Sequence, residues 1–261
     1  MQAIQTAQKG GHAGSPCVTG GIAHSGIATS GIGISGSGIS GSGISSSAGA
    51  AAPTRLVARH NRDVFSVQRL EMHAARKQVF VDQLRWDLAI TDNAYEIDEY
   101  DRDDSLYLIV LDAAGAVHLG SVRLLPTDGP HLLGDKFARL CAAGVPRGPD
   151  IFEITRLVTR PGLSRSEATR VRRLLSLAII EFALAHRVKH FTMMTHMAYL
   201  ASVIAVGWDC EPLGMPEEMD GVAVAALRID VDAATLARLQ SQWNMVGPAL
   251  AFDLTQSAVT D

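Results

Sequence analysis

The chain has 261 residues, a formal net charge of −4 and three cysteines, Cys17, Cys141 and Cys210. Setting aside a leader unlike the rest, that length holds one core of roughly 200 residues, and the acidic balance argues against a general nucleic-acid binder. The absence of CxxC and of cysteine–histidine spacing argues against a disulfide framework and a zinc site, and no apolar run reaches the length of a membrane span or the compactness of a signal peptide, so the expected compartment is a reducing cytoplasm.

Residues 15–50 repeat an Ile-Ser-Gly-Ser-Gly unit, beginning at Ile34 and again at Ile39. Glycine is costly to order and offers no side chain to bury, so 1–52 is expected to be a disordered tail ahead of a single domain at 53–261. In 69–84, Leu70, Ala74, Ala75, Val79, Phe80 and Leu84 recur at three- and four-residue steps, the period of an amphipathic helix, which Trp86 closes. The segment 87–104 has no sustained period and reads as a loop carrying Glu96, Asp98, Glu99 and Asp101. Apolar runs at 106–111 and 117–125, separated by Asp112-Ala-Ala-Gly115, predict an antiparallel hairpin.

A further strand is expected over 151–159, ended by Pro161-Gly162. Its Glu153 and Arg156 are three apart and would point to opposite faces unless a bulge intervenes, and such an irregularity is expected here. Ser164-Arg-Ser-Glu167 has capping-box spacing ahead of a long amphipathic run over 168–186. Strands at 190–195 and 222–229 and helices at 198–206 and 232–243 complete the pattern. A hairpin followed by strand–helix alternation predicts an α/β fold, a three-layer α-β-α sandwich around a mixed, mostly antiparallel sheet.

Two strand positions carry charge between apolar neighbours: Arg123 lies between Val122 and Leu124, and Glu153 between Phe152 and Ile154. A buried guanidinium or carboxylate needs a partner. One reading is a structural Glu153–Arg156 ion pair; burial would raise the Glu153 pKa and a nearby arginine would lower it, and the sequence leaves the balance open. Arg160, Arg165, Arg170, Arg172 and Arg173 gather around the start of the long helix, either as a solvated face or as a receptor for an anionic partner.

Arg76, Phe80, Trp86, Asp98, Asp101, Arg123, Glu153 and Arg156, in that order and at compatible spacing and with Glu96 at a frequently acidic position, resemble the hallmark set of the acyl-homoserine-lactone synthases, the LuxI-type autoinducer synthase family. The resemblance spans about 67–207 and implies a core similar to the GNAT acetyltransferases. It further implies transfer of an acyl chain from acyl carrier protein, or from coenzyme A, to the amine of S-adenosylmethionine, followed by lactone closure. Adenosylmethionine is then a co-substrate, with no cofactor and no metal. Glu153 and Arg156 are implied as catalytic, with Glu153 the base, and Arg76, Phe80, Trp86, Glu96, Asp98, Asp101, Arg123 and Thr155 as substrate-binding, the acidic pair forming an ion-pair network with Arg76 and Arg123. Met193, Thr195 and Phe182 are candidates for the acyl pocket, and Arg165, Arg170 and Arg172 for carrier docking. Two rivals stand beside this reading: a GNAT-type N-acyltransferase, weakened by the lack of an Arg/Gln-x-x-Gly-x-Gly/Ala phosphate loop, and a catalytically inactive synthase-like binding protein, weakened by the presence of Glu153 with both arginines.

Overall fold

The computed structural model describes residues 53–251; the leader at 1–52, with Cys17, lies outside them. The main sheet has the strand order β11-β1-β4-β5-β6-β7-β10-β8, with β9 paired to β10. These strands are β1 (Thr54–Val57), β4 (Leu106–Leu111), β5 (His118–Pro126), β6 (Ile151–Thr159), β7 (His190–His196), β8 (Asp209–Pro212), β9 (Glu217–Met219), β10 (Val222–Asp230) and β11 (Leu250–Ala251). Only the β1–β11 and β6–β7 pairs are parallel among the described residues, so the sheet is mixed and mostly antiparallel, as the sequence pattern predicts.

Both faces are covered, which is why the central strands read as continuous apolar runs rather than alternating ones. On one face lies the long helix α3 (Arg165–His186), whose Val171, Leu174, Leu175 and Ala178 pack with Val122, Leu124 and Ile154. Its start is fixed by the expected capping box: the Glu167 N–H donates to Ser164 Oγ and the Ser164 N–H to Glu167. The short α4 (Met197–Ile204) follows β7, and α5 (Ala233–Trp243) adds Leu239 to the same core. On the other face α1 (Ser66–Arg76) packs Met72 against Tyr107, Ile109 and Leu111 of β4, and α2 (Leu132–Lys136) packs Leu132 and Leu133 with Leu125 and Met194.

Three local features depart from regular geometry. The first helix continues past Arg76 as a π-helical turn over Lys77–Gln83, with Leu84 N–H bonded to Val79 O, and ends where Arg85 turns left-handed at φ 61. In β6, Arg156 also adopts a left-handed φ of 53. Across from it the β5 register passes from Ser121 opposite Val158 to Arg123 opposite Thr155, so β6 carries one extra residue. This is the bulge expected from the Glu153/Arg156 spacing. Finally, β6 and β7 pair only from Ile151 with His190 to Ile154 with Met193, and beyond that point no β6–β7 ladder joins them.

The sequence reading missed several short elements. The segment 87–104, expected to be a loop, contains a small hairpin of β2 (Ile90–Thr91) and β3 (Tyr95–Glu96). The strands β1, β8, β9 and β11 and the helix α2 were also not anticipated, because two to five residues cannot establish a period.

Gly120 of β5 leaves no room for a side chain between α3 and β6: a Cβ there would lie 2.5 Å from Val171 Cγ1 and 2.9 Å from the Val158 carbonyl oxygen. Gly120→Ala is therefore expected to destabilise the domain by about 1–3 kcal/mol through overpacking, measured by urea unfolding; an unchanged midpoint would show that the helix and strand can separate freely.

Candidate active site

Arg76, Arg123 and Arg156 are each no more than 1% exposed, and Glu96 is fully buried. Together with Asp98 and Asp101, whose side chains are 3% exposed, they close a ring in which every charge lies between two opposite ones. Arg76 makes a fork to Asp101 at 2.8 and 2.9 Å and donates through Nε to Glu96 at 2.5 Å. Glu96 accepts from Arg156 Nη2 at 2.8 Å, and the same nitrogen reaches Asp98 at 2.7 Å. Asp98 takes a second fork, from Arg123 at 2.6 and 3.0 Å, and Arg123 Nη1 lies 3.0 Å from Asp101 Oδ1, which completes the circuit.

The ring draws on α1, β3 and the loop after it, β5 and β6. The loop is shaped to present its carboxylates: the Asp98 N–H donates to Asp101 at 2.9 Å and the Tyr100 N–H to Asp98 at 2.8 Å. Burial alone would raise all three acids, yet the facing arginines hold Glu96 and Asp98 below, and Asp101 well below, the ordinary carboxylate range. Against the same desolvation, Asp101 and Glu96 raise Arg76 well above its usual value. Six charges are thus buried at net zero, with forked geometry that offsets their desolvation.

Glu153 lies outside this circuit. It is fully buried on the Arg123 face of the sheet, where it pairs in register with Leu125. One oxygen accepts the Leu133 N–H at 3.0 Å and the other has no hydrogen-bond partner among the described residues. Desolvation dominates and pushes its pKa up to about 8, against the opposing pull of the Leu133 N–H and of Arg123. The Glu153–Arg156 ion pair considered from the sequence is not formed; Arg156 is held by Glu96 and Asp98 instead. The bulge brings Arg156 to the face that carries Thr155, whose hydroxyl accepts from Arg123 Nε at 3.0 Å.

An aromatic column stands beside the ring. Trp86 stacks with Phe80 at 5.1 Å between centroids and with His196, at the end of β7, at 5.7 Å. The Arg156 guanidinium lies 5.8 Å from the Phe80 ring. The π turn places this pair, because the Trp86 N–H returns to the Phe80 carbonyl at 2.9 Å.

The acyl-pocket candidates are not gathered with Glu153. Phe182 is buried between Phe152 and His186, and Met193 belongs to the core beneath α3, on the opposite face of the sheet. Thr195 is buried near the end of β7, where its hydroxyl donates to the His196 carbonyl at 3.2 Å. Arg165, Arg170 and Arg172 are exposed on α3.

Three participants escaped the sequence reading. Tyr107 donates its hydroxyl to Asp101 at 2.8 Å; its position opposite Arg123 in the predicted hairpin was the available signal. His73, its pKa lowered to about 4 by burial and then by Arg76, lies 3.0 Å from the Glu96 carbonyl through Nδ1. The Leu133 amide sits in a helix too short to leave a pattern.

Comparison with known proteins places this geometry. The autoinducer synthase family model matches residues 62–239. The chain belongs to that family. It is 37% identical over 183 residues to an acyl-homoserine-lactone synthase of Ralstonia nicotianae, covering 67% of this chain and 89% of the relative, and 34% identical over 170 residues to one of Ralstonia solanacearum. Among solved structures it resembles TofI in a ternary complex with an inhibitor and MTA, at 32% identity and a TM-score of 0.57 over 67% of this chain and 90% of that one. It also resembles MesI, described as a CoA-dependent acyl-homoserine lactone synthase, at 26% identity and a TM-score of 0.69 over 77% of this chain and 100% of that one. The sandwich is accordingly the GNAT-like fold of these synthases.

Removing one ring member leaves a buried charge uncompensated. Arg76→Ala is expected to cost about 3–5 kcal/mol, while Arg172→Ala on the exposed face of α3 stays near wild type. Chemical denaturation of both variants checks this, and equal stability would contradict the ring's structural role.

Proposed function

We propose that this protein is an acyl-homoserine-lactone synthase, which transfers an acyl chain from a thioester to the amine of S-adenosylmethionine, closes the lactone and releases methylthioadenosine as it makes a quorum-sensing autoinducer. The observation that carries the reading is Glu153, a fully buried carboxyl with one free oxygen beside an arginine-carboxylate ring that is already neutral, in a chain of this family.

The amine of adenosylmethionine is an ammonium in water and has no lone pair to attack a carbonyl. Glu153, with its pKa near 8, is matched to such a group, since an effective base has a pKa near both the operating pH and that of its partner. At neutral pH only about a tenth of it is ionised before substrate arrives, and a sulfonium and an ammonium docking nearby shift it toward the carboxylate. The substrate thus activates its own base. The amine lone pair attacks the thioester carbonyl, the carbon–sulfur bond breaks and the thiol departs. The methionine carboxylate then displaces methylthioadenosine from its own γ-carbon; the sulfonium is a good leaving group, so positioning matters more than acid catalysis.

In this reading the stacked Phe80 and Trp86 form an aromatic wall of the adenosylmethionine pocket. Arg76, Glu96, Asp98, Asp101, Arg123 and Thr155 hold the substrate side of the site in place, and Arg156 joins them to the reacting centre. The acyl chain passes through the gap where β6 and β7 part and runs toward Met193, Thr195 and Phe182. No cofactor takes part. The enzyme works in the cytoplasm, where its thioester donor and adenosylmethionine are made.

Glu153→Gln keeps shape and removes the base, so acylation is expected to fall about 10²- to 10⁴-fold with adenosylmethionine binding retained, by single-turnover kinetics and calorimetry. The same variant has a stability signature. Between about pH 5 and 8 the folded state holds the Glu153 proton and the unfolded state does not, so wild-type stability from this group falls as pH rises. The melting-temperature advantage of Glu153→Gln therefore grows with pH across that window. Near-normal turnover at neutral pH would remove Glu153 from the chemistry.

A further inference from the structure

Glu153 shares its rung of the sheet with a second buried polar side chain. Strands β6 and β7 are parallel, and Glu153 stands in register with Thr192. Register neighbours project to the same face. Met194, two residues further along β7, packs on that face with Leu125, Leu132 and Leu133, whereas Phe191 and Met193 belong to the core under α3. Thr192 is fully buried like Glu153, and neither Thr192 Oγ1 nor Glu153 Oε2 has a hydrogen-bond partner among the described residues. Adjacent strands lie about 4.8 Å apart. Two unpartnered oxygens therefore stand side by side.

The charged groups around this rung are committed elsewhere. Arg123 on β5 bonds to Asp98 and Thr155, and Arg228, which stands in register with Thr192 on β10, bonds to Asp230 and pairs with Glu211. On the helix side the Tyr100 hydroxyl donates to Asp135. Leaving a buried oxygen unpaired is costly, so two on one rung mark a place where a polar group docks. The β6–β7 ladder ends one rung further on, at Ile154 with Met193, which puts the pair at the mouth of the gap assigned above to the acyl chain.

We infer that Thr192 is a second contact for the amine of adenosylmethionine, its hydroxyl accepting one N–H while Glu153 Oε2 accepts another. The inference rests on the synthase reading above and deepens it. A group with one donor would leave one of the two oxygens unsatisfied, whereas an ammonium has three N–H groups and answers both. The proton directed at Glu153 passes to Oε2, and the N–H directed at Thr192 stays on nitrogen. The freed lone pair is then held toward the gap, where it attacks the thioester carbonyl carbon and the carbon–sulfur bond breaks. Glu153 takes the proton, and Thr192 fixes the direction of attack.

Thr192→Val keeps the shape and removes the hydroxyl, and Thr192→Ser keeps the hydroxyl. Calorimetry on the full chain compares adenosylmethionine with an analogue that carries hydrogen in place of the α-amine, and single-turnover assays follow acylation. Thr192→Val is expected to bind adenosylmethionine about tenfold more weakly while binding the deaminated analogue as the wild type does, with acylation reduced by at least a similar factor. Thr192→Ser is expected to restore both. Because the lost hydroxyl had no partner, the valine variant is expected to melt no lower than the wild type. An equal loss for the two ligands would show that Thr192 serves the fold alone, through a buried structural water for example, and unchanged affinity and rate would show that it does not meet the amine; either overturns the assignment. In both cases lactone made by the wild-type chain leaves the synthase reading standing. A wild-type chain that makes no lactone from any acyl thioester would overturn that reading, and this assignment with it.

Discussion

Six buried charges must cancel for this domain to close. Arg76, Arg123 and Arg156 come from a helix and two strands, and Glu96, Asp98 and Asp101 from one short stretch, yet each lies between two partners of opposite sign. No pair among them would be worth its desolvation by chance placement, since taking an ion out of water costs several kcal/mol and only good geometry offsets it. The ring therefore fixes the relative positions of α1, the 96–101 loop, β5 and β6. It also accounts for the left-handed Arg156: a regular strand would turn this guanidinium to the α3 face, away from Glu96 and Asp98.

The same neutrality sets the chemistry. Were one carboxylate missing, an arginine would be left to seek Glu153, and its pKa would drop as those of the ring acids do. Because the arginines are satisfied elsewhere, burial is the dominant influence on Glu153, and it is poised near 8. The paired acids of the ring and the isolated Glu153 thus lie against one face of the main sheet and are separated by which of them the guanidiniums reach.

The sequence made the ring members legible through a family resemblance and through the oddity of charges inside apolar strands. Strand period also exposed the Glu153/Arg156 conflict, and a bulge was the physical resolution. What it did not reveal was the partnering. Spacing placed Glu153 and Arg156 close together, but only three dimensions show that Glu96, sixty residues before Arg156 in the chain, captures that arginine. The π turn was hidden because its apolar spacing is close to that of an α-helix, and α2 because five residues carry no period. The partition of Met193 and Phe182 to the far face follows from strand parity and from packing against α3, and a pocket assignment by position alone could not weigh either.

The proposed chemistry turns on one quantity, the pKa of Glu153 in the folded protein. Carbon-13 spectra of protein labelled at the glutamate carboxyls, with Glu153→Gln to assign the signal, measure it directly. The account predicts a carboxyl that titrates at about 8 while Glu96 stays ionised to below the ordinary range. A Glu153 signal titrating near the usual glutamate value of about 4.3 would contradict it, because the group would then be paired or solvated rather than isolated beside a neutral ring.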